Sequence, residues 1–228
     1  DAVKQVSTKE SFTVTAENVQ YKVALLDYGA KRNIIRELVK RGCSVTVLPY
    51  DTKTEDILAL NPDGLMLSNG PGAQAENVVP IAELAKLSGN LPIFGICLGH
   101  QLLALAHGGE TVKLKYGHRG VNQPVKEVSG TRTYITSQNH GYAVVSESLK
   151  SGKLSFINAN DGTCEGIEYP EEQAFSVQFH PEFTANILKA ACTDDAGENG
   201  LSTCTIIPET LWSRKILHNF CRIVEDIG

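Results

Sequence analysis

Phe94-Gly95-Ile96-Cys97-Leu98-Gly99-His100-Gln101 is a short apolar run, then a cysteine between two glycines, then the start of an apolar-periodic segment that continues to Ala106. Residues 91–96 read as a buried strand, and the segment after Cys97 reads as a helix. The thiol therefore sits at the apex of a strand, a sharp turn and a helix. The G-x-C-x-G spacing is the cysteine form of a nucleophile elbow. Such a turn is too tight for a Cβ on either flank, which is why glycine is needed at both. The helix N-terminus beneath the sulfur favours a thiolate. The plain alternative is a small buried residue at a strand end, because free cysteine is among the most buried residue types.

Outward from the elbow, strands and helices alternate. Residues 21–26, 44–48 and 64–67 read as strands, and 31–40, 54–60 and 78–87 as helices. This rhythm predicts an α/β fold with a central, mostly parallel sheet and helices on both faces. After Gly109 the pattern changes to short, turn-bounded, β-rich segments at 111–115, 122–128, 132–137, 142–145, 154–159, 164–169 and 174–178. These predict a small antiparallel β extension beside the parallel core. Residues 1–20 are polar and aperiodic and read as a linker or N-terminal extension, with 21–228 as one domain. Residues 193–205 read as an exposed loop and 208–227 as a closing helix, with Pro208 near its start.

Composition narrows the classes. The chain has 228 residues, 42% hydrophobic and 21% charged, enough for one sizeable α/β core. A net charge of -5 argues against nucleic acid or an anionic membrane surface as the partner. No segment has the apolar length of a membrane span, and the first residues are not a signal peptide. A start on Asp1 reads as a trimmed or excised segment. Cys43, Cys97, Cys164, Cys192, Cys204 and Cys221 are scattered, with no C-x-x-C pair and no metal spacing. This fits reduced thiols in a cytoplasmic protein, with no metal site expected.

A thiol nucleophile needs a base, since an unperturbed cysteine is only a few per cent thiolate at neutral pH. Phe175-Ser176-Val177-Gln178-Phe179 reads as a strand, with His180-Pro181-Glu182 at its end. A residue before proline is held extended, so positions two apart project to the same side. Glu182 then reaches back to orient the His180 imidazole, the logic of a nucleophile, base and orienter. A solvated turn carrying a surface histidine and carboxylate is the alternative. Ser68-Asn69-Gly70-Pro71-Gly72 is likewise either an ordinary turn or a loop whose backbone N–H groups approach an oxyanion.

The stretch 94–101 resembles the nucleophile motif of the class I (triad) glutamine amidotransferases, and 176–182 resembles their second signature. The resemblance implies a flavodoxin-like amidotransferase fold in which Cys97 attacks the glutamine amide, His180 is the general base and Glu182 its orienter. It also implies an oxyanion hole made by the main-chain amides of Gly70 and Leu98. Three further stretches, D-Y-G-A-K-R-N-I at 27–34, K-Y-G-H-R-G-V-N-Q-P-V at 115–125 and T-S-Q-N-H-G-Y-A-V at 136–144, resemble the glutaminase domain of the carbamoyl phosphate synthetase small subunit. That likeness implies an L-glutamine pocket lined by Gly70, Gly72, Leu98, Gln101, Asn139, Gly141 and Tyr142, with Tyr142 where the family often has phenylalanine. It further implies a partner, the large synthetase subunit, which carries the ATP and bicarbonate chemistry. No G-x-x-x-x-G-K-[ST] loop occurs here, so no cofactor is expected in this chain.

The sequence departs from the family in three places. The family's N-terminal small-subunit domain has no counterpart, Phe183 to Asn186 replace a proline- and glycine-rich continuation, and 192–204 looks like an insertion. Two other readings stay open. One is another class I amidotransferase or a γ-glutamyl hydrolase, and the other is a non-catalytic regulatory binding module.

Overall fold

The computed structural model describes residues 2–72 and 78–183. The chain begins with a short helix, α1 (Ala2–Val6), and a three-residue strand, β1 (Phe12–Val14). There follow β2 (Tyr21–Asp27), α2 (Arg32–Val39), β3 (Cys43–Pro49), α3 (Thr54–Ala59), β4 (Gly64–Leu67), α4 (Val78–Leu87), β5 (Ile93–Ile96) and α5 (Leu98–Ala106). The remaining described residues add the strands β6 (Thr111–Glu127), β7 (Thr133–Val144), β8 (Lys153–Asn158), β9 (Cys164–Tyr169) and β10 (Ala174–Val177), with short 3-10 turns at Ser146–Ser148 and Pro170–Glu172.

All ten strands form one sheet in the order β1-β3-β2-β4-β5-β10-β9-β8-β6-β7. From β3 to β10 the neighbours are parallel. From β10 through β9, β8 and β6 to β7 they are antiparallel. Counted in chain order, the five parallel strands run 2-1-3-4-5, the flavodoxin-like arrangement, in which sites form outside the carboxyl ends of the strands. The expected parallel core with an antiparallel extension is therefore present.

Helices lie on both faces because alternate residues of each central strand point to opposite sides. Ala24 and Leu26 of β2 pack with Leu65, Leu67 and Ile93 against Ile57 of α3, Leu84 and Leu87 of α4, and Leu98, Leu102 and Leu103 of α5. Val23 and Leu25 pack instead with Val45, Val47, Met66 and Phe94 against Ile34 and Leu38 of α2. Every residue of β4 and β5 is buried, as strands covered on both faces require.

Two details go beyond the sequence pattern. Within the stretch 1–20, Val3 of α1 is in the core, and β1 pairs antiparallel with β3. Elements of five and three residues are too short to show a period, so nothing in the pattern announced them. The segments expected at 111–115 and 122–128 are one strand, β6, and those at 132–137 and 142–145 are likewise one strand, β7. Shifts in register interrupt this long pair between Lys113 and His118 and between Gly120 and Gln123, where its hydrophobic alternation fails. The loop expected at 193–205, the helix expected at 208–227 and residues Thr184 to Asn186 lie outside the described residues.

One buried group ties this core to pH. His100 of α5 is fully buried, with Nδ1 2.8 Å from the Ser176 hydroxyl. Burial first, and the neighbouring His140 second, push its imidazole down to about 3. The folded protein keeps it neutral, whereas the unfolded chain takes up a proton near the ordinary value of about 6.5. Stability is therefore lost as pH falls below about 6.5, by up to roughly 1.4 kcal/mol per pH unit. Urea unfolding between about pH 7 and about pH 5 should show the loss, and His100→Gln should flatten it. An unchanged slope in the variant would assign the acid sensitivity elsewhere.

Candidate active site

Cys97 is the residue between β5 and α5, at φ 53° and ψ -103°. That is a left-handed backbone an L side chain adopts only when its surroundings impose it. The imposition comes from the glycines. A Cβ on Gly95 would lie 2.8 Å from the Gly99 carbonyl, and one on Gly99 would lie 2.5 Å from the Leu67 carbonyl oxygen. The backbones of β4, β5 and α5 therefore touch directly, and the turn has no slack. The Cys97 N–H donates to the Val177 carbonyl at 2.9 Å, which ties the elbow to β10.

β10 runs parallel to β5 with Val177 opposite Ile96, so the residues beyond it arrive beside the elbow. The His180 N–H donates to the Ser137 carbonyl at 2.9 Å, and its Nδ1 lies 2.8 Å from Glu182 Oε1. Glu182 occupies Nδ1, which leaves Nε2 as the ring nitrogen open to the Cys97 side. His180 is 5% exposed and Glu182 1%, so neither sits on a solvated turn. Burial alone would push the imidazole down. Hydrogen bonds to Cys97 and to Glu182, with their charges, outweigh it and hold His180 up at about 9. At neutral pH this ring is an imidazolium beside the sulfur.

Three residues that sequence reasoning did not assign complete the rear of this arrangement. The Asn33 side-chain amide donates to the Glu182 main-chain carbonyl. Lys31 Nζ lies 3.4 Å from His180 Nδ1, 3.9 Å from Glu182 Oε1 and 4.3 Å above the Phe183 ring. Burial pushes the Lys31 ammonium down, while Glu182 and Cys97 pull it back up. The Phe183 ring stands edge-on to His180, with centroids 5.8 Å apart. Lys31 and Asn33 belong to the stretch 27–34, just beyond the carboxyl end of β2, which was the available signal.

The Asn69–Gly72 loop is anchored to the same region. Asp27 Oδ1 accepts the N–H groups of Gly29 and Ala30, making a tight Asx turn. Asn69 Oδ1 accepts the Lys31 N–H at 3.0 Å, and its amide donates to the Gly29 carbonyl at 3.2 Å. A Cβ on Gly70 would run into the Tyr28 carbonyl and lie 2.8 Å from a methyl of Leu98. Gly70 is thus packed directly against the first residue of α5. Gly72 is exposed, and the atom nearest its Cβ position is in Ala2, 3.4 Å away. Gln101 is buried, and its Nε2 is committed to the Tyr142 carbonyl at 2.9 Å and Gln178 Oε1 at 2.7 Å. Asn139, exposed, and Gly141 and Tyr142, half-buried, lie on β7, which reaches the triad through Ser137 and Gln101 through Tyr142.

Folding also gathers a cluster with no spacing signal in the sequence. His118, His140 and Glu165, from β6, β7 and β9, bring three possible ligand atoms within 4.8 Å of one another. Hydrogen bonds to Glu165 and Asp161 outweigh burial and hold His118 up at about 9, whereas burial pushes His140 down to about 4.

The family model Glutamine amidotransferase class-I matches residues 24–196. The carbamoyl phosphate synthase small chain of Clostridium perfringens is 53% identical over 184 residues, covering 80% of this chain and 51% of that protein. The protein of the same name from Staphylococcus epidermidis is 52% identical over 184 residues, covering 80% and 50%. The chain thus spans about half the length of the curated relatives it matches. Among solved structures, a putative GMP synthase subunit from Thermoplasma acidophilum superposes with TM-score 0.70 at 21% identity, over 92% of this chain and 97% of that one. A glutamine amidotransferase from Thermotoga maritima gives 0.62 at 16% identity, over 91% and 97%. At these identities the likeness shows the fold.

Two variants probe the geometry. Gly99→Ala places a methyl against the Leu67 carbonyl and should cost about 1–3 kcal/mol, read as a lowered thermal midpoint. Glu182→Gln removes the charge on His180 Nδ1, so the imidazole measured by NMR titration should move down from about 9 toward or below 6.5. A His180 titration unmoved in this variant would mean that Glu182 does not hold the ring.

Proposed function

Because the chain belongs to the class I glutamine amidotransferases, we propose that it hydrolyses L-glutamine and supplies the ammonia to the large subunit of a carbamoyl phosphate synthetase. The curated relatives, of whose length the chain spans about half, support the choice of synthetase. The observation that carries the chemistry is the buried His180–Glu182 pair, 2.8 Å apart, delivered by β10 beside the Cys97 elbow. The domain reading is 21–228 as the amidotransferase unit, preceded by 1–20, in a cytoplasmic protein.

In this reading the Cys97 thiolate adds to the side-chain amide carbon of glutamine. The negative charge passes to the amide oxygen, which the main-chain N–H groups of Gly70 and Leu98 receive. Leu98 is the first residue of α5, where an N–H has no intrahelical acceptor. One such donor is typically worth about 2.7–4 kcal/mol of barrier. The His180 imidazolium gives its proton to the departing nitrogen, ammonia leaves, and a γ-glutamyl thioester remains on Cys97. His180, now neutral, takes a proton from water as the water attacks the thioester carbon. The thiolate leaves and glutamate is released. Glu182 keeps the ring oriented through both steps.

The backbone and amide groups of Gly70, Gly72, Leu98, Gln101, Asn139, Gly141 and Tyr142 form the glutamine pocket in this proposal. Gln101 contributes chiefly by holding the Tyr142 carbonyl. ATP and bicarbonate belong to the partner subunit.

Glutamate release by the chain should be measured with and without a carbamoyl phosphate synthetase large subunit. Cys97→Ser should lower it by about a thousandfold or more. Turnover should also fall as pH rises through about 9, where His180 loses the proton it gives to ammonia. Activity that rises with the large subunit supports the assignment, and activity indifferent to it keeps the chemistry and rejects the partner. A folded protein silent in both conditions would reject the reading.

A further inference from the structure

We infer that His118, His140 and Glu165 form a site for one divalent d-block cation of the zinc type, outside the Cys97–His180–Glu182 set. The geometry comes first. His118 Nδ1 is 3.2 Å from His140 Nε2 and 3.2 Å from Glu165 Oε1, and the last two atoms are 3.9 Å apart. A zinc ion with bonds of about 2.0–2.2 Å at tetrahedral angles holds its ligand atoms about 3.3 Å apart. The triangle is already close to that size.

The hydrogen bonds outside the triangle leave the other ring nitrogens facing inward. His118 Nε2 lies 2.9 Å from Asp161 Oδ2, and His140 Nδ1 lies 2.8 Å from the Tyr142 carbonyl. A carboxylate and a carbonyl oxygen can only accept, so both outer nitrogens carry a proton. The inner nitrogens, His118 Nδ1 and His140 Nε2, meet each other and a carboxylate oxygen. In the metal-free chain a second proton on His118 fills the space between them, and a cation that displaces it meets three lone pairs. Imidazoles whose second nitrogen donates to an oxygen are the usual form of metal-bound histidine.

Further groups fit the same occupant. The Gln138 amide donates to Thr136 Oγ1 at 3.1 Å, which turns its Oε1 toward His140 Nε2, also at 3.1 Å. This oxygen is placed to be a fourth ligand. Glu165 is fully buried, and its Oε2 has no hydrogen-bond partner among the described residues. The side-chain donor nearest the centre is Asn158 Nδ2, which stays 3.5 Å from both His118 Nδ1 and Glu165 Oε1. The ligands sit on sheet strands, with His118 directly opposite His140 in the β6–β7 pair and a register irregularity on either side. The exposed side of Asp161 gives a way in from the surface. Once His118 gives up its inner proton to the incoming ion, two neutral imidazoles and one carboxylate leave a single negative charge, a set suited to zinc.

The competing occupant is one proton shared among the same three atoms. Co2+ titration of the metal-stripped chain separates the two, because an all-nitrogen-and-oxygen site gives visible ligand-field bands without the near-ultraviolet thiolate band of cysteine ligation. One Co2+ per chain, displaced by Zn2+, is expected. Asp161→Asn, on the surface, should weaken binding about 10–100-fold, and His118→Asn should weaken it more. Circular dichroism checks that each variant folds, and Asp161→Asn decides alone if His118→Asn does not. Absence of the bands, a thiolate band in their place, or affinity unchanged in Asp161→Asn would overturn the proposal in favour of the proton. The readout is metal binding, so it stands or falls independently of the glutaminase reading.

Discussion

The parallel pairing of β5 with β10 is the constraint on which the rest depends. Their register sets Val177 opposite Ile96, and the Cys97 N–H then closes onto the Val177 carbonyl. Residues about eighty positions apart in the chain are thereby delivered to one end of one sheet. From there a single extended step through Gln178 and Phe179 brings His180 to the sulfur, and Phe179 is pinned in the core against Phe156. Slipping this register by one residue would turn every side chain of β10 to the opposite face and move His180 away from Cys97.

That constraint holds because the elbow cannot yield. With α5 packed onto β4 and β5 through two glycines, the backbone at Cys97 has no alternative conformation that keeps the core closed. Strain of this kind persists where the surroundings over-determine it, and it is one way a fold stores a reactive geometry. The loops after β2 and β4 are bound to each other through Ser68 and Asn69, so Lys31 and Gly70 arrive at the elbow as one unit.

Polar groups are buried behind the site, and most of them are paired. Gln101 bridges β7 and the end of β10, and the Gln178 N–H returns to the Glu165 carbonyl. The triad and the His118–His140–Glu165 cluster therefore share a wall, with His140 on β7 between Asn139 and Gly141. In a buried setting an unpaired donor or acceptor costs far more than at the surface, so such a wall favours one arrangement over near alternatives.

Local chemistry was legible. A strand, Gly95-Ile96-Cys97-Leu98-Gly99 and a helix were legible as a strand, a tight turn and a helix, because that pattern lies in neighbouring residues, although Leu67 and Val177 are what hold the turn in place. The alternation of apolar strands and amphipathic helices set the parallel core for the same reason, and His180-Pro181-Glu182 carried its own extended geometry. What depended on distant partners was not legible. α1 and β1 exist because β3 and the core accept them, and the length of β6 and β7 comes from pairing across irregular registers. Lys31 reaches Glu182, and His118 meets His140 and Glu165, only through contacts 22 to 151 positions apart, the first of which is His118 with His140. The sequence by itself determined the layered α/β class and the family motifs, since both follow from short-range pattern. Only the tertiary structure decided which charges share a buried space, because that depends on strand order and register rather than on spacing along the chain.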